Sequence, residues 1–462
     1  MPQSLSATIV TLTTILFCAS PATARPQYRC PRAAQPVTID GDLAEWRDVP
    51  LLVLDDPSQV VMGNWGGPAD CGARVFLQWD GQCLYLAAQV SDQTVTPSSN
   101  LSTMWMADSL QFVFDTAGNR GGWDGDDYRY QFGFVAEPQM FMELVVTGSD
   151  RPQPRLARND PVSPRPHGLV DRAKVAARIA EGSYVVEAAI PWNELNPLMP
   201  IAPGRCGFGI IVNDNDGEGR KGWIGWTPGI GEDRGTDEFG DLVFVGDSTL
   251  ELFAATDKLV YGDGEQAALR FATNSDRVVE AATLTWWIDS PDGRMPDGYA
   301  HTVRLQPGLN TVEASWPTGD HPRGTYTLNA RLEPGGGTRT LSFVKESVAS
   351  IHRGIESLRQ QHRDLDSQLA EAEAAGVNVQ YPRVTSAAVA IACEYAQYVA
   401  AEYGRKRPDV ASRMLDQAGK LVARALTEVR QLAERPVLAP PVVAPLDLDR
   451  GITIRDGGFY NG

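Results

Sequence analysis

The chain has 462 residues, a formal charge of −17 and 43% hydrophobic residues. That length calls for about two to four domains with real cores. The acidic balance excludes nucleic acid and an anionic membrane surface as partners, since both reward basic patches, and fits a soluble protein meeting neutral ligands.

Residues 1–24, MPQSLSATIVTLTTILFCASPATA, carry no charged side chain. Ile9 to Ala19 is largely apolar, and Ala22-Thr23-Ala24 is a small-x-small cleavage site before Arg25. This predicts a secretory signal peptide and a secreted or periplasmic protein, although no Lys or Arg precedes the apolar stretch. No later run approaches the ~20 apolar residues of a membrane span. Export permits disulfides. Cys30, Cys71, Cys83 and Cys206 fall in the first half of the chain, and Cys393 stands alone.

Residues 25–248 are predicted to form one antiparallel β-sandwich. "ARVFLQWDGQCLYLAAQV" reads as two strands around an Asp80-Gly81 turn. "DSLQFVFD", "YRYQFGFV", "MFMELVV", "YVVEAAI", "GFGIIVND" and "GDLVFV" alternate in the same way, with no helical pattern between them. A two-residue Asp80-Gly81 loop sets Cys83 opposite Gln78, which leaves Cys71 seven residues farther along that strand. At strand rise that is roughly 23 Å, beyond the ~7 Å between Cα atoms that a disulfide tolerates. Cys71 and Cys83 are therefore not expected to pair.

Residues 249–345 carry six or seven further strands, among them "QAALRFAT", "ATLTWWID" and "GTYTLNARLE". They predict a smaller immunoglobulin-like or fibronectin-like sandwich, on strand count alone. In residues 346–435 the period changes. Ile351, Ile355, Leu358, Leu365 and Leu369 follow helical steps with His362 filling one seam position, Gly376 and Pro382 interrupt the pattern, and Pro408 opens a last helix. An α-helical hairpin or three-helix segment is expected. Residues 436–462 are a Pro-rich linker and tail.

In "YVVEAAIPWNEL", Tyr184, Val186, Ala188 and Ile190 share one strand face, while Val185, Glu187 and Ala189 share the other. No second carboxylate or base accompanies Glu187, so it is expected to be a structural glutamate paired to an arginine on a neighbouring strand. "IDGDLAEW" (39–46), "VFLQWDGQCLY" (75–85), "WMADSLQFVFD" (105–115), "YVVEAAIPWNEL" (184–195) and "GFGIIVND…FGDLVF" appear in one order and spacing. Together they resemble the motifs of carbohydrate-binding module family 9, whose fold is a DOMON-like β-sandwich. The resemblance implies a sugar-binding module of the kind attached to glycoside hydrolases.

Carried over residue by residue, the resemblance places the family's stacking tryptophan at Trp105 and its next polar position at Gln111. The family's arginine falls on Gln131, a glutamine is replaced by Ile211, and the second stacking tryptophan aligns with Asp233. Trp123 or Trp65, both in Gly-rich loops, are candidates to substitute for it. Trp46, Trp79, Trp192 and Trp226 sit in framework motifs and are expected in the core. Two acidic loops suit a structural calcium ion: Asp124, Asp126 and Asp127 in "WDGDDY", and Asp214, Asp216 and Glu218 in "NDNDGEG".

The sequence shows no zinc spacing, nucleophile elbow or phosphate loop. The expected partner is a polysaccharide or oligosaccharide, with a linked hydrolase domain, and no catalytic residue is assigned. One rival is an N-terminal part of a glycoside hydrolase. "LDRGITIRDGGFYNG" weakly resembles the entry to barrel-type glycosidases, so the gene is expected to continue into a hydrolase and this chain alone to cleave no glycoside. A second rival is a haem-binding DOMON relative, whose axial ligand would fall to a methionine such as Met104, Met106, Met140 or Met142.

Overall fold

The computed structural model describes residues 25–98, 101–120, 127–135, 153–158, 168–170, 172–202, 204–231, 235–319, 321–402, 408–434, 452–455 and 458–461. In the first half the strands are β1 (Gln27–Pro31), β2 (Leu52–Leu54), β3 (Val60–Gly63), β4 (Cys71–Trp79), β5 (Cys83–Asp92), β6 (Ser109–Asp115) and β7 (Asp127–Val135). They continue with β8 (Gln153–Arg158), β9 (Gly168–Leu169), β10 (Lys174–Ala180), β11 (Ser183–Pro191), β12 (Arg205–Asp214), β13 (Gly222–Gly225) and β14 (Gly240–Val245).

These strands make two sheets. A nine-stranded sheet runs β1-β14-β12-β6-β7-β8-β9, with β13 and β3 added beside β12, and a five-stranded sheet runs β10-β11-β5-β4-β2. Strict alternation in the sequence decides what each face carries. Leu110, Phe112, Phe114, Phe208, Ile210 and Val212 turn inward onto Leu77, Leu86, Ala88, Tyr184, Val186 and Ile190, all almost fully buried in one core. A protein of mainly β structure with a helical segment is what the sequence predicts, and the structure has it.

Two local expectations are corrected. The β4–β5 turn is not centred on Asp80-Gly81: the Asp80 N–H bonds to the Cys83 carbonyl, which leaves Gly81-Gln82 at the tip, and Asp80 Oδ1 accepts the N–H groups of Gln82 and Cys83. Trp79 therefore pairs with Leu84, and Gln78 with Tyr85. The shift is by two residues, which leaves every side chain on its expected face. Cys71 lies opposite Asp92 at the far end of that hairpin from Cys83, and Cys30, Cys71, Cys83, Cys206 and Cys393 are all free thiols.

Among the described residues Glu187 has no arginine partner. It is fully buried, and its carboxylate accepts the Trp46 indole N–H at 2.7 Å and the backbone N–H groups of Gly41 at 2.6 Å and Asp40 at 3.0 Å. The segment before β2 folds over the outer face of the five-stranded sheet, where Trp46 packs with Tyr85, Ala87 and Ala189. Burial raises the Glu187 pKa, against the three hydrogen bonds that favour its ionised form. Trp79 is also buried, while Trp192 and Trp226 are half-buried against the main core.

The second sandwich contains β15 (Phe253–Thr256), β16 (Val260–Tyr261), β17 (Gln266–Ser275), β18 (Val279–Ser290), β19 (Gly293–Leu305), β20 (Gly308–Pro317), β21 (Gly324–Glu333) and β22 (Gly337–Lys345). Its sheets run β15-β17-β20 and β16-β22-β21-β18-β19. Phe253 and Ala255 of β15 belong to the core of the first sandwich rather than to their own, and Phe253 meets Trp79 edge-on at 6.3 Å.

Three helices follow: α1 (Val348–Ala374), α2 (Gln380–Glu402) and α3 (Pro408–Glu434). Ile351, Ile355 and Leu358 of α1 pack with Val389 of α2 and Leu415 of α3. Gly376, at φ +81°, closes α1 with the Val377 N–H returned to the Ala372 carbonyl, a left-handed cap that a side chain resists. Ile452–Arg455 and Gly458–Asn461 pair as an antiparallel hairpin.

Candidate saccharide-binding face

The outer face of the nine-stranded sheet is built by register. Ser109 of β6 pairs with Asn213 of β12, which pairs with Trp223 of β13, so these three residues lie in one row across the sheet. The next row on the same face carries Gln131, Gln111, Ile211 and Gly225. Residues directly opposite across paired strands project to the same side. Gln111 and Ile211, which come from separate sequence motifs, thus stand side by side, with position 131 in line with them.

The polar members of this face bond to one another. Asn213 Nδ2 donates to Ser109 Oγ at 3.0 Å and to Gln111 Oε1 at 3.4 Å. Val113, Ile211, Trp223, Ile230 and Phe239 form a small apolar cluster beside them. The turn Leu101–Met106 ends just before β6 and holds Trp105 at the rim, 36% exposed. Arg220 rises from the β12–β13 loop, and its guanidinium carbon lies 3.5 Å from the Trp223 ring centroid and 5.4 Å from that of Trp105. The same guanidinium donates to Asn213 Oδ1.

Of the residues the sequence singled out, the structure brings Trp105 and Gln111 to this face and puts position 131 in its row. Trp123, Asp233, Asp124 and Asp126 lie outside the described residues. Asp127 is the first residue of β7, paired with Asp115, and its side chain is likewise outside them. Trp65 is no substitute platform, because it packs on the main core and its indole N–H bonds to the Cys71 carbonyl at 2.6 Å.

Arg220, Trp223 and Asn213 went unread in the sequence. The signal was local alternation in "GWIGW": Ile224 is fully buried inward, so Trp223 and Gly225 must face out.

An acidic cluster lies beside this face. The "NDNDGEG" loop is held by a lysine: Lys221 Nζ lies 2.7 Å from Asp70, 3.3 Å from Asp214 and 2.9 Å from Asp216. Behind it the buried carboxylates of Asp92, Asp108 and Asp214 each place an oxygen within 4.8 Å of the others. Asp108 accepts from the Asn215 N–H at 2.7 Å and from the Thr96 N–H, Asp92 accepts from the Thr94 N–H, and Asp214 Oδ1 accepts no hydrogen bond among the described residues. Burial, opposed by the backbone N–H groups each accepts and reinforced at both by the charge of Asp214, pushes Asp108 up to about 8 and Asp92 up to about 6. Asn215 Nδ2 also donates to the Met106 carbonyl at 2.6 Å, so this cluster fixes the turn that carries Trp105.

The sequence profile of the family described as carbohydrate family 9 binding domain-like matches residues 39–247. The first sandwich is a carbohydrate family 9 binding domain. Over 211 residues this family 9 domain is 28% identical to endo-1,4-beta-xylanase A of Thermotoga maritima, an alignment covering 45% of this chain and 17% of the xylanase. Over 212 residues it is 26% identical to exoglucanase XynX of Acetivibrio thermocellus, covering 45% of this chain and 16% of that enzyme. The chain therefore spans about a sixth of the length of these curated relatives. Among solved structures, a family 9 module from Caldicellulosiruptor kristjanssonii in complex with cellotriose aligns at 20% identity. That alignment covers 48% of this chain and 95% of the module, with a TM-score of 0.36.

Proposed function

We propose that this chain is an exported accessory protein that binds polysaccharide or oligosaccharide through the outer face of its family 9 domain. The observation that carries this reading is an exposed indole, Trp105, at the rim of a polar floor made by Ser109, Gln111 and Asn213. In this reading a pyranose lays its C–H face on the indole, and the floor amides, buried in the ligand-free face, reach its hydroxyls once covering side chains move aside. Kinship with regions of a xylanase and an exoglucanase supports a xylan- or glucan-type ligand and a linked hydrolase. In such a pair the binding domain keeps the catalyst at high local concentration. The apolar, uncharged stretch ending at Ala24 supports export.

Calcium enters this reading as a structural ion held by Asp92, Asp108 and Asp214. Hard oxygen ligands suit it, and the buried Asp214 Oδ1 lacks a hydrogen-bond partner. Its role would be to pin the loops bearing Trp105 and Arg220.

Affinity electrophoresis of the full chain against soluble xylan, mixed-linkage glucan and mannan tests the binding reading. Retardation by at least one of them is expected, and free migration through all three would remove the proposal.

A further inference from the structure

Trp223 is 8% exposed, and what covers its ring includes the Arg220 guanidinium at 3.5 Å. That same planar group lies 5.4 Å from the ring of Trp105. One guanidinium is thus addressed by two indoles above the polar floor, and Asn213, which also bonds to Ser109 and Gln111, accepts from it. A guanidinium stacked on an indole uses the face of the ring that a pyranose would use. The Trp223 Nε1–H is buried and has no acceptor among the described residues. On its other side Trp223 packs against Gly231, where a Cβ would come within 2.9 Å of the ring.

We propose that Trp223 is the second stacking surface of the saccharide site, and that the Arg220 side chain is the group a ligand displaces from it. The inference rests on the saccharide-binding reading above and deepens it. Arg220 follows an exposed loop, residues 216–219, in which Gly217 and Gly219 adopt φ of +98° and +106°. The exposed loop leaves solvent on that side of Arg220 for the side chain to move into. Once displaced, the guanidinium is hydrated beside the exposed loop and no longer blocks the ring. The ligand is a neutral saccharide, because Asp70, Asp214 and Asp216 share a single lysine, Lys221, at this end of the sheet, and that surplus of negative charge opposes an anionic one.

The test is titration calorimetry of the full chain with xylohexaose and cellohexaose, for wild type, Arg220→Ala, Trp223→Phe and Trp105→Ala. Arg220→Ala should tighten binding about 3- to 10-fold, the scale of one released cation–π contact. It should also make one further tryptophan accessible to acrylamide quenching in the ligand-free protein, an access that ligand removes. Trp223→Phe keeps a ring in the apolar cluster, and should weaken binding about 3- to 10-fold at nearly unchanged melting temperature. Weaker binding by Arg220→Ala would make the guanidinium a direct ligand donor and overturn the proposal. Unchanged affinity in both variants, with Trp105→Ala still impaired, would reduce the Arg220–Trp223 contact to packing and overturn this inference alone. A wild-type chain that binds neither sugar would sink the underlying reading as well.

Discussion

Glu187 accepts the indole N–H of Trp46 at 2.7 Å across 141 positions of sequence. The contact joins two separate sequence motifs, "IDGDLAEW" and "YVVEAAIPWNEL". Glu187→Ala strands the Trp46 N–H and two backbone N–H groups in a buried site. It should cost about 3 kcal/mol or more, since each unsatisfied buried donor costs roughly 1–3 kcal/mol. Glu187→Gln keeps one acceptor oxygen and should cost less. Urea unfolding followed by tryptophan fluorescence checks both, and equal stability of wild type and Glu187→Ala would contradict the account.

Trp105 is the residue whose loss should separate binding from folding. It is 36% exposed on a short turn, so Trp105→Ala should weaken saccharide binding by ~1–3 kcal/mol with little change in melting temperature. Affinity electrophoresis beside a thermal melt reads the two effects separately. A large drop in melting temperature with unchanged mobility would make Trp105 a packing residue.

The buried acids give the domain a pH signature. Burial pushes Asp92 up to about 6 and Asp108 up to about 8, from an ordinary value of 3.8. Both values are raised, so the folded state holds protons that the unfolded chain has released. The stabilisation is full below pH ~4 and is lost as pH rises through ~8. Thermal melts from pH 5 to pH 9 without metal should show this decline for wild type and a flatter profile for Asp108→Asn. If calcium binds at Asp92, Asp108 and Asp214, millimolar calcium should raise the melting temperature at pH 8 far more than at pH 5, and Asp108→Asn should abolish the gain. A melt indifferent to calcium at pH 8 would remove the ion from the proposal.

The two sandwiches should unfold together. Glu251 bridges Arg32 of the first at 2.7 Å and Arg339 of the second at 2.9 Å, and Phe253 is buried against Trp79. Phe253→Ala should cost about 3–5 kcal/mol, as for other buried aromatic truncations. Calorimetry of the wild type should show the β part melting as one transition that moves down in the variant. Two separate β transitions would show the sandwiches to be independent.

The sequence by itself determined the elements and their faces. Period-2 alternation in "DSLQFVFD" and "YVVEAAI" decides which residues face the core, because successive Cβ atoms in a strand point to opposite sides whatever the strand pairs with. Gly376 marks the end of a helix for an equally local reason, its tolerance of positive φ. Trp105 and Gln111 were legible through motif order. Partners were not legible, because they are set by long-range register and by which segment folds over which face. Reading alone assigned Glu187 an arginine, and the chain before β2 supplied an indole and two backbone N–H groups instead. Trp223 went unread until the pairing of β13 with β12 set it beside Asn213 and beneath Arg220. Asp92, Asp108 and Asp214 stand at the end of β5, just before β6 and at the end of β12, and only the packing of these strand ends brings them within 4.8 Å. A carboxylate's neighbours, and hence its charge, are properties of that packing and not of the chain around it.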